Sequence, residues 1–234
     1  MTKILPWVMV CFALWPAATA WADHAATVYE KNSNQTKKLF TAQFKSQTQN
    51  DQEIATGQYF DLGGNLVFAE TATLAAGNIV SVEIQQKQTD QTASVTVKDG
   101  QVFFSRTTDG KTETEQEKLP PSFVMAANFM KFVHTHWDEL AAGKTIRFRY
   151  ALWDRLETIG FELHKKGEET VAGQTVVVAR MEPSDFFVSL WVTPIEFKFS
   201  ADGSHLLEMI GRVPPKRRVG KTYENLDGDV VYLY

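Results

Sequence analysis

Pro120 to Gly143 is the only long helical pattern in a chain that otherwise alternates like β-sheet, and any fold for this sequence must find a place for it. Phe123, Ala126, Ala127, Met130, Val133, Trp137, Leu140 and Ala141 recur at three- and four-residue steps, which puts them on one helical face. Val124, Phe129 and Phe132 lie off that stripe and are apolar too. A helix that is apolar on more than one side is buried on more than one side. Pro120 and Pro121 precede Ser122, a cap residue, and Gly143 supplies a left-handed stop. The expectation is one central buried helix over about 122–141.

The rest reads as strands. From Ala26 to Lys118 the period is two, with Phe40, Ala42 and Phe44 alternating against Thr41, Gln43 and Lys45, and Ile54, Thr56, Gln58 and Phe60 following a polar break. Gly63-Gly64, Gly77-Asn78, Asp99-Gly100 and Asp109-Gly110 are hairpin signals between these runs. After the helical stretch the pattern returns: Ile146, Phe148, Tyr150 and Leu152 share a face, with Arg147 and Arg149 on the other. Ile159, Phe161 and Leu163 alternate next, Val171 to Met181 is Val-rich, and Phe186 to Val192 fits either a short helix or a strand. Ile195, Phe197 and Phe199 turn at Asp202-Gly203, Pro214-Pro215 opens a basic loop, and Val230, Tyr232 and Tyr234 close the chain. No low-complexity linker or fixed-period repeat divides this, so the reading is one mainly β (α+β) domain. It is an antiparallel curved sheet or open barrel clasping the central helix.

The start of the chain carries one charge, Lys3, then an apolar run from Ile4 to Ala18 that is short for a bilayer span and ends in small residues. Two small-x-small sites fit, Ala18-Thr19-Ala20 and Ala20-Trp21-Ala22, and the second precedes the polar Asp23. The expected division is a signal peptide over 1–22 and a single periplasmic domain over 23–234. The only cysteine, Cys11, lies inside the signal, so the exported part holds itself by its core without disulfides or thiolate metal sites. With 24 basic and 28 acidic residues the charge is −4, a mild balance with no footprint for nucleic acid.

The run Asn128-Phe129-Met130-Lys131-Phe132-Val133, with Trp137-Asp138-Glu139-Leu140, Gly143-Lys144, Glu182-Pro183-Ser184 and Pro194-Ile195-Glu196-Phe197, resembles exported bacterial proteins of unassigned function. That resemblance spans most of the exported chain and implies a β-rich periplasmic protein with one central helix. It brings no catalytic residue with it. By architecture alone the chain is also similar, more distantly, to open β-barrels with inserted helices that carry lipoproteins, an analogy of fold that does not fix function.

Chemistry-bearing patterns are sparse. His134-Thr135-His136 would point one way on a strand, but on a helix residues two apart diverge by about 200 degrees, poor geometry for zinc. Asp154, Glu157 and Glu162 supply carboxylates at hairpin ends, where acids are ordinarily just solvated. No nucleophile elbow, phosphate loop, zinc-protease helix or dinucleotide fingerprint is present. Asn34-Gln35-Thr36 matches a glycosylation sequon, which the bacterial signal makes a coincidence. No cofactor is called for.

Two groups remain as candidate sites. Phe129, Phe132, Trp137, Trp153, Phe187 and Trp191 are candidates to line an apolar groove beside the helix. Lys216, Arg217 and Arg218 form the densest positive cluster, suited to docking on anionic lipid headgroups or an acidic partner. The expected function is a non-enzymatic periplasmic binding protein for an apolar or lipid-like ligand or the tail of an envelope protein. The alternative is a structural or assembly factor of the envelope acting through protein contacts.

Overall fold

The computed structural model describes residues 22–171, 173–190 and 192–234. The proposed signal peptide, but for its last residue, and Trp191 lie outside them. The first half is a run of hairpins: β1 (Ala22–Glu30), β2 (Lys38–Gln49), β3 (Gln52–Phe60), β4 (Leu66–Ala75), β5 (Asn78–Gln86), β6 (Gln91–Lys98), β7 (Gln101–Thr108) and β8 (Lys111–Lys118). A short β9 (Phe123–Val124) leads into helices α1 (Ala126–Thr135) and α2 (Trp137–Ala141). Then come β10 (Ile146–Leu152), β11 (Glu157–Val171), β12 (Gln174–Pro183), helix α3 (Phe186–Ser189), β13 (Ile195–Ser200), β14 (Leu206–Val219) and β15 (Thr222–Leu233).

All the described strands belong to one sheet, in the order β8 through β1, then β15 down to β9. The first and last strands therefore meet in the middle, with Val28 opposite Val230, and the two halves meander outward from that seam. Every pairing is antiparallel except β9 with β10. The sheet curls until β8 comes back against β11, while β9 and α1 touch β5. β8 and β9 are not hydrogen-bonded to each other, so the barrel stays open. The expected turns hold: Asp99-Gly100 and Asp109-Gly110 both take positive φ at both residues, the twist that a two-residue hairpin needs.

Where one helix was expected over 122–141, the chain makes a bridge, a helix and a second short helix. Ser122 does not cap it; Asn128 does, accepting from Met125 N at 2.7 Å and donating to Phe123 O at 3.0 Å. The extended pair Phe123–Val124 adds to β10 before α1 can begin. The break falls at His136, next to Thr135, whose hydroxyl donates back to Lys131 O at 2.9 Å, a bond that bends helices. Gly143 does take a left-handed φ of 83° at the far end.

Pro214-Pro215 does not open a loop. The prolines form a bulge between Val213 and Lys216, and β14 runs on through Lys216, Arg217 and Arg218, paired with Asn225, Glu224 and Tyr223. Prolines fit there because a bulge leaves backbone positions without ladder partners. Two glutamines clamp the bulge from the other half of the sheet. The fully buried Gln86 donates to Pro214 O at 2.9 Å, and Gln88 both accepts from Lys216 N at 2.7 Å and donates to Lys216 O at 2.9 Å.

Two hydrophobic cores result. The first fills the concave side of β1–β7 with Val28, Phe68, Ile84, Val95 and Phe104. The second lies between α1, α2 and strands β10–β14, around Phe148, Phe161, Phe197 and Phe199. Met209 and Tyr232 pack against both. The helical segment is clasped as expected: Met125 and Ala127 face the first core, while Phe129, Val133 and Leu140 belong to the second. Each of the large buried rings is worth about 1.5–3 kcal/mol of burial.

Candidate binding cleft between the two cores

The six candidate groove aromatics do not gather in one place. Phe129 lies 4.8 Å from the Phe197 ring and Phe132 5.0 Å from Phe148, both inside the second core. Trp137 meets Phe199 edge-on at 5.7 Å and lies over Gly203, where a Cβ would come within 2.2 Å of its ring. Trp153 packs against the first core. Phe187, on α3, is 75% exposed, and Trp191 is outside the described residues. The four rings Phe129, Phe132, Trp137 and Trp153 are thus occupied by packing.

What the fold does bring together is a polar and aromatic surface on the concave side, where the cores meet. On β4 the inward residues run Phe68, Glu70, Ala72 and Leu74, so Glu70 holds a core position. It sits opposite Gly57 on β3, and Gly57 sits opposite Phe44 on β2. Without a side chain at Gly57, the Phe44 ring and the Glu70 chain approach each other across it; an added Cβ would touch both, at 3.4 and 3.5 Å. Phe44 continues the line of rings, stacked on His24 at 5.0 Å, edge-on to Tyr59 at 5.8 Å and 5.9 Å from Tyr232. Tyr150 enters from β10, edge-on to Phe161 at 6.1 Å.

Tyr59, Tyr150 and Glu70 are close enough to feel one another's charge, and both tyrosines feel Tyr232 as well. Burial alone pushes the Glu70 carboxyl up from 4.5 to about 7. The three phenols are likewise held above their ordinary range, first by burial, then by Tyr232 and Glu70 at Tyr59 and Tyr150 and by Tyr234 at Tyr232. Phe44, Glu70, Tyr150 and Tyr232 nonetheless keep part of their surface accessible. Among the described residues, no hydrogen bond reaches the Glu70 carboxyl or the hydroxyls of Tyr59, Tyr150 and Tyr232. None of these oxygens is among the sealed, unpartnered polar atoms of the described residues, so the four groups, near enough to act on one another, mark a place for water or a ligand.

Two recesses lie elsewhere. One, of about 360 Å³, has an apolar floor that includes Leu39, Phe40 and Val67 and a rim with Lys216, Arg217 and Arg218. There Arg217 meets Glu30 at 3.4 Å, Lys216 reaches Asn225 at 3.1 Å and Arg218 reaches Gly220 O at 3.2 Å. The basic cluster therefore does edge a hollow, though as part of a strand. The other, of about 370 Å³, lies under the β1–β2 connection beside Glu208 and Asp229.

The remaining candidates take structural roles. Glu162 and Glu157 are bound by Arg147 at 2.8 Å and Arg155 at 2.7 Å. His134 and His136 end α1, and no cluster of three metal-ligating side chains occurs among the described residues. No described helix is long and apolar enough to cross a membrane.

Neither a family model nor a curated protein matches the chain. Among solved structures it is similar to a beta-barrel-like protein of the domain of unknown function DUF1849 from Brucella abortus, with a TM-score of 0.44 and 10% identity over 92% of this chain and 94% of that one.

Sequence reading passed over Glu70 and the three tyrosines. A signal was there for Glu70: it is the one acid on the apolar phase of Leu66, Phe68, Ala72 and Leu74. For the tyrosines there was none, because strands from opposite halves of the chain bring them together.

Proposed function

We propose that this chain is a non-enzymatic periplasmic binding protein whose cleft between the two cores takes one amphipathic, lipid-like molecule or the tail of an envelope protein. The observation that carries this is the convergence of a carboxyl and three phenols, none hydrogen-bonded among the described residues, on a surface with the exposed faces of Phe44, Tyr150 and Tyr232. Rings bind a chain by contact, and the polar groups fix its head. A carboxyl that is half protonated near pH 7 can donate as well as accept, which suits a neutral or anionic head better than a cationic one. Export rests on the segment Lys3 to Ala22.

Titration with cis-parinaric acid tests the reading. Saturable binding is expected, weakened about tenfold in Tyr150→Ala, equal to about 1.4 kcal/mol. Absence of saturable binding, or equal binding by a folded Tyr150→Ala chain, overturns it.

The open edge of β8 favours a second reading, an assembly factor that receives a strand from a partner. Against it, β8 reads Lys-Thr-Glu-Thr-Glu-Gln-Glu-Lys, the charged kind of edge that discourages pairing.

A further inference from the structure

The recess under the β1–β2 connection holds an acid with one oxygen left unpartnered. Asp229 is 8% exposed, lines the recess, and its Oδ1 has no hydrogen-bond partner. Beside it stand the Gln35 amide and another acid, Glu208, and two carboxyls can bond only by sharing a proton. Glu208 is already served, by Gln35 Nε2 at 2.9 Å and Lys198 Nζ at 2.9 Å. Lys198 is itself divided between Glu208 and Glu169, at 3.3 Å. On the same face Asp227 takes Arg212 at 2.9 Å and Lys31 at 3.9 Å, which leaves those cations committed. Asp229 is the group left over.

We propose that this recess binds the ammonium group of a small alkyl amine, which donates to Asp229 and Glu208 while its carbon chain lies on Ile210. The amide oxygens of Asn32 and Asn34, which also line the recess, are acceptors for the remaining N–H. Three features favour an organic cation over a bare divalent ion. The volume, about 370 Å³, is many times that of one water or ion. Ile210 gives an apolar wall that a metal would not use. Lys198 places a positive charge 2.9 Å from Glu208, where it opposes a second full charge of two.

The site is coupled to pH. Burial, then the bond and charge of Glu208, raise the Asp229 carboxyl from 3.8 to about 6, with Gln35 and Lys198 pulling the other way. An amine needs Asp229 ionised, so affinity rises as pH passes upward through 6.

The test is an NMR titration of the ¹⁵N-labelled chain with n-butylammonium chloride at pH 5 and pH 7.5, set beside tetramethylammonium and calcium chloride. Expected are saturable shifts confined to Asn32, Gln35, Ile210 and Asp229, tighter at the higher pH, absent with tetramethylammonium, and weakened about tenfold in Asp229→Asn. Shifts scattered over the surface, no dependence on pH, an unaltered response in Asp229→Asn, or tighter capture of calcium would each overturn the proposal. Should Asp229→Asn fail to fold, the pH dependence of the unaltered chain decides alone.

Discussion

Glu70 is a side chain whose charge the fold resists. Its carboxyl titrates near 4.5 in an unfolded chain and near 7 in the folded one. The folded state therefore holds the proton more tightly, so this contribution is fully present below pH 4.5 and is lost as pH rises through 7. Glu70→Gln keeps the shape without the charge. It is expected to raise stability at pH 8 by roughly 1–3 kcal/mol and change little at pH 4.5, which urea unfolding at the two pH values would measure. Gly203 is the opposite case, a residue defined by what it lacks. Its φ is 72° and Trp137 covers it, so Gly203→Ala should cost roughly 2–4 kcal/mol and shift Trp137 emission to the red as the indole is displaced. At this scale the sequence announces some features and hides others. Glu70 stood out of phase with its own strand, whereas Asp229 sits on the outward phase of β15, where an acid is ordinary. Only the β1–β2 connection folded across it makes Asp229 buried, and nothing local encodes that.

Among the elements, the helical segment shows both what periodicity reveals and where it stops. Burial on two sides followed from apolar residues off the main stripe, and Met125 and Ala127 on one core with Phe129 and Leu140 on the other bear that out. The start did not follow, since Ser122 looked the better cap; pairing of Phe123–Val124 with β10 overrode it and handed the role to Asn128. Asn128→Ala should then cost about 1–2 kcal/mol, read by thermal or urea unfolding, while Ser122→Ala should cost only a few tenths. In β14 the pair of prolines read as a loop because proline lacks a ladder donor; the bulge that accommodates them is held by glutamines over a hundred residues away. Such long-range clamps leave no mark on the residues they hold.

The molecule as a whole is one sheet folded over two cores, closed through its middle by the pairing of its first and last strands. Because β1 joins β15 and Met209 and Tyr232 serve both cores, the halves should unfold together. Trp153 reports the first core and Trp137 the second. Chains of residues 23–234 in which Trp153 or Trp137 is the single tryptophan kept, Trp191 being replaced in both, are expected to share a urea midpoint; separate midpoints would mean two units. The alternation and turns of the sequence carried the strand-rich, open architecture, but they could not carry the cleft, since Glu70, Tyr59, Tyr150 and Tyr232 meet only once the sheet has curled. That cleft is what the account of function stands on. Native mass spectrometry of the protein, taken from the cells that make it, addresses it most directly. The account predicts a chain carrying the mass of one small amphiphile or of one envelope protein, lost from Tyr150→Ala; the bare polypeptide mass in the unaltered chain, or an adduct that Tyr150→Ala keeps, would contradict it.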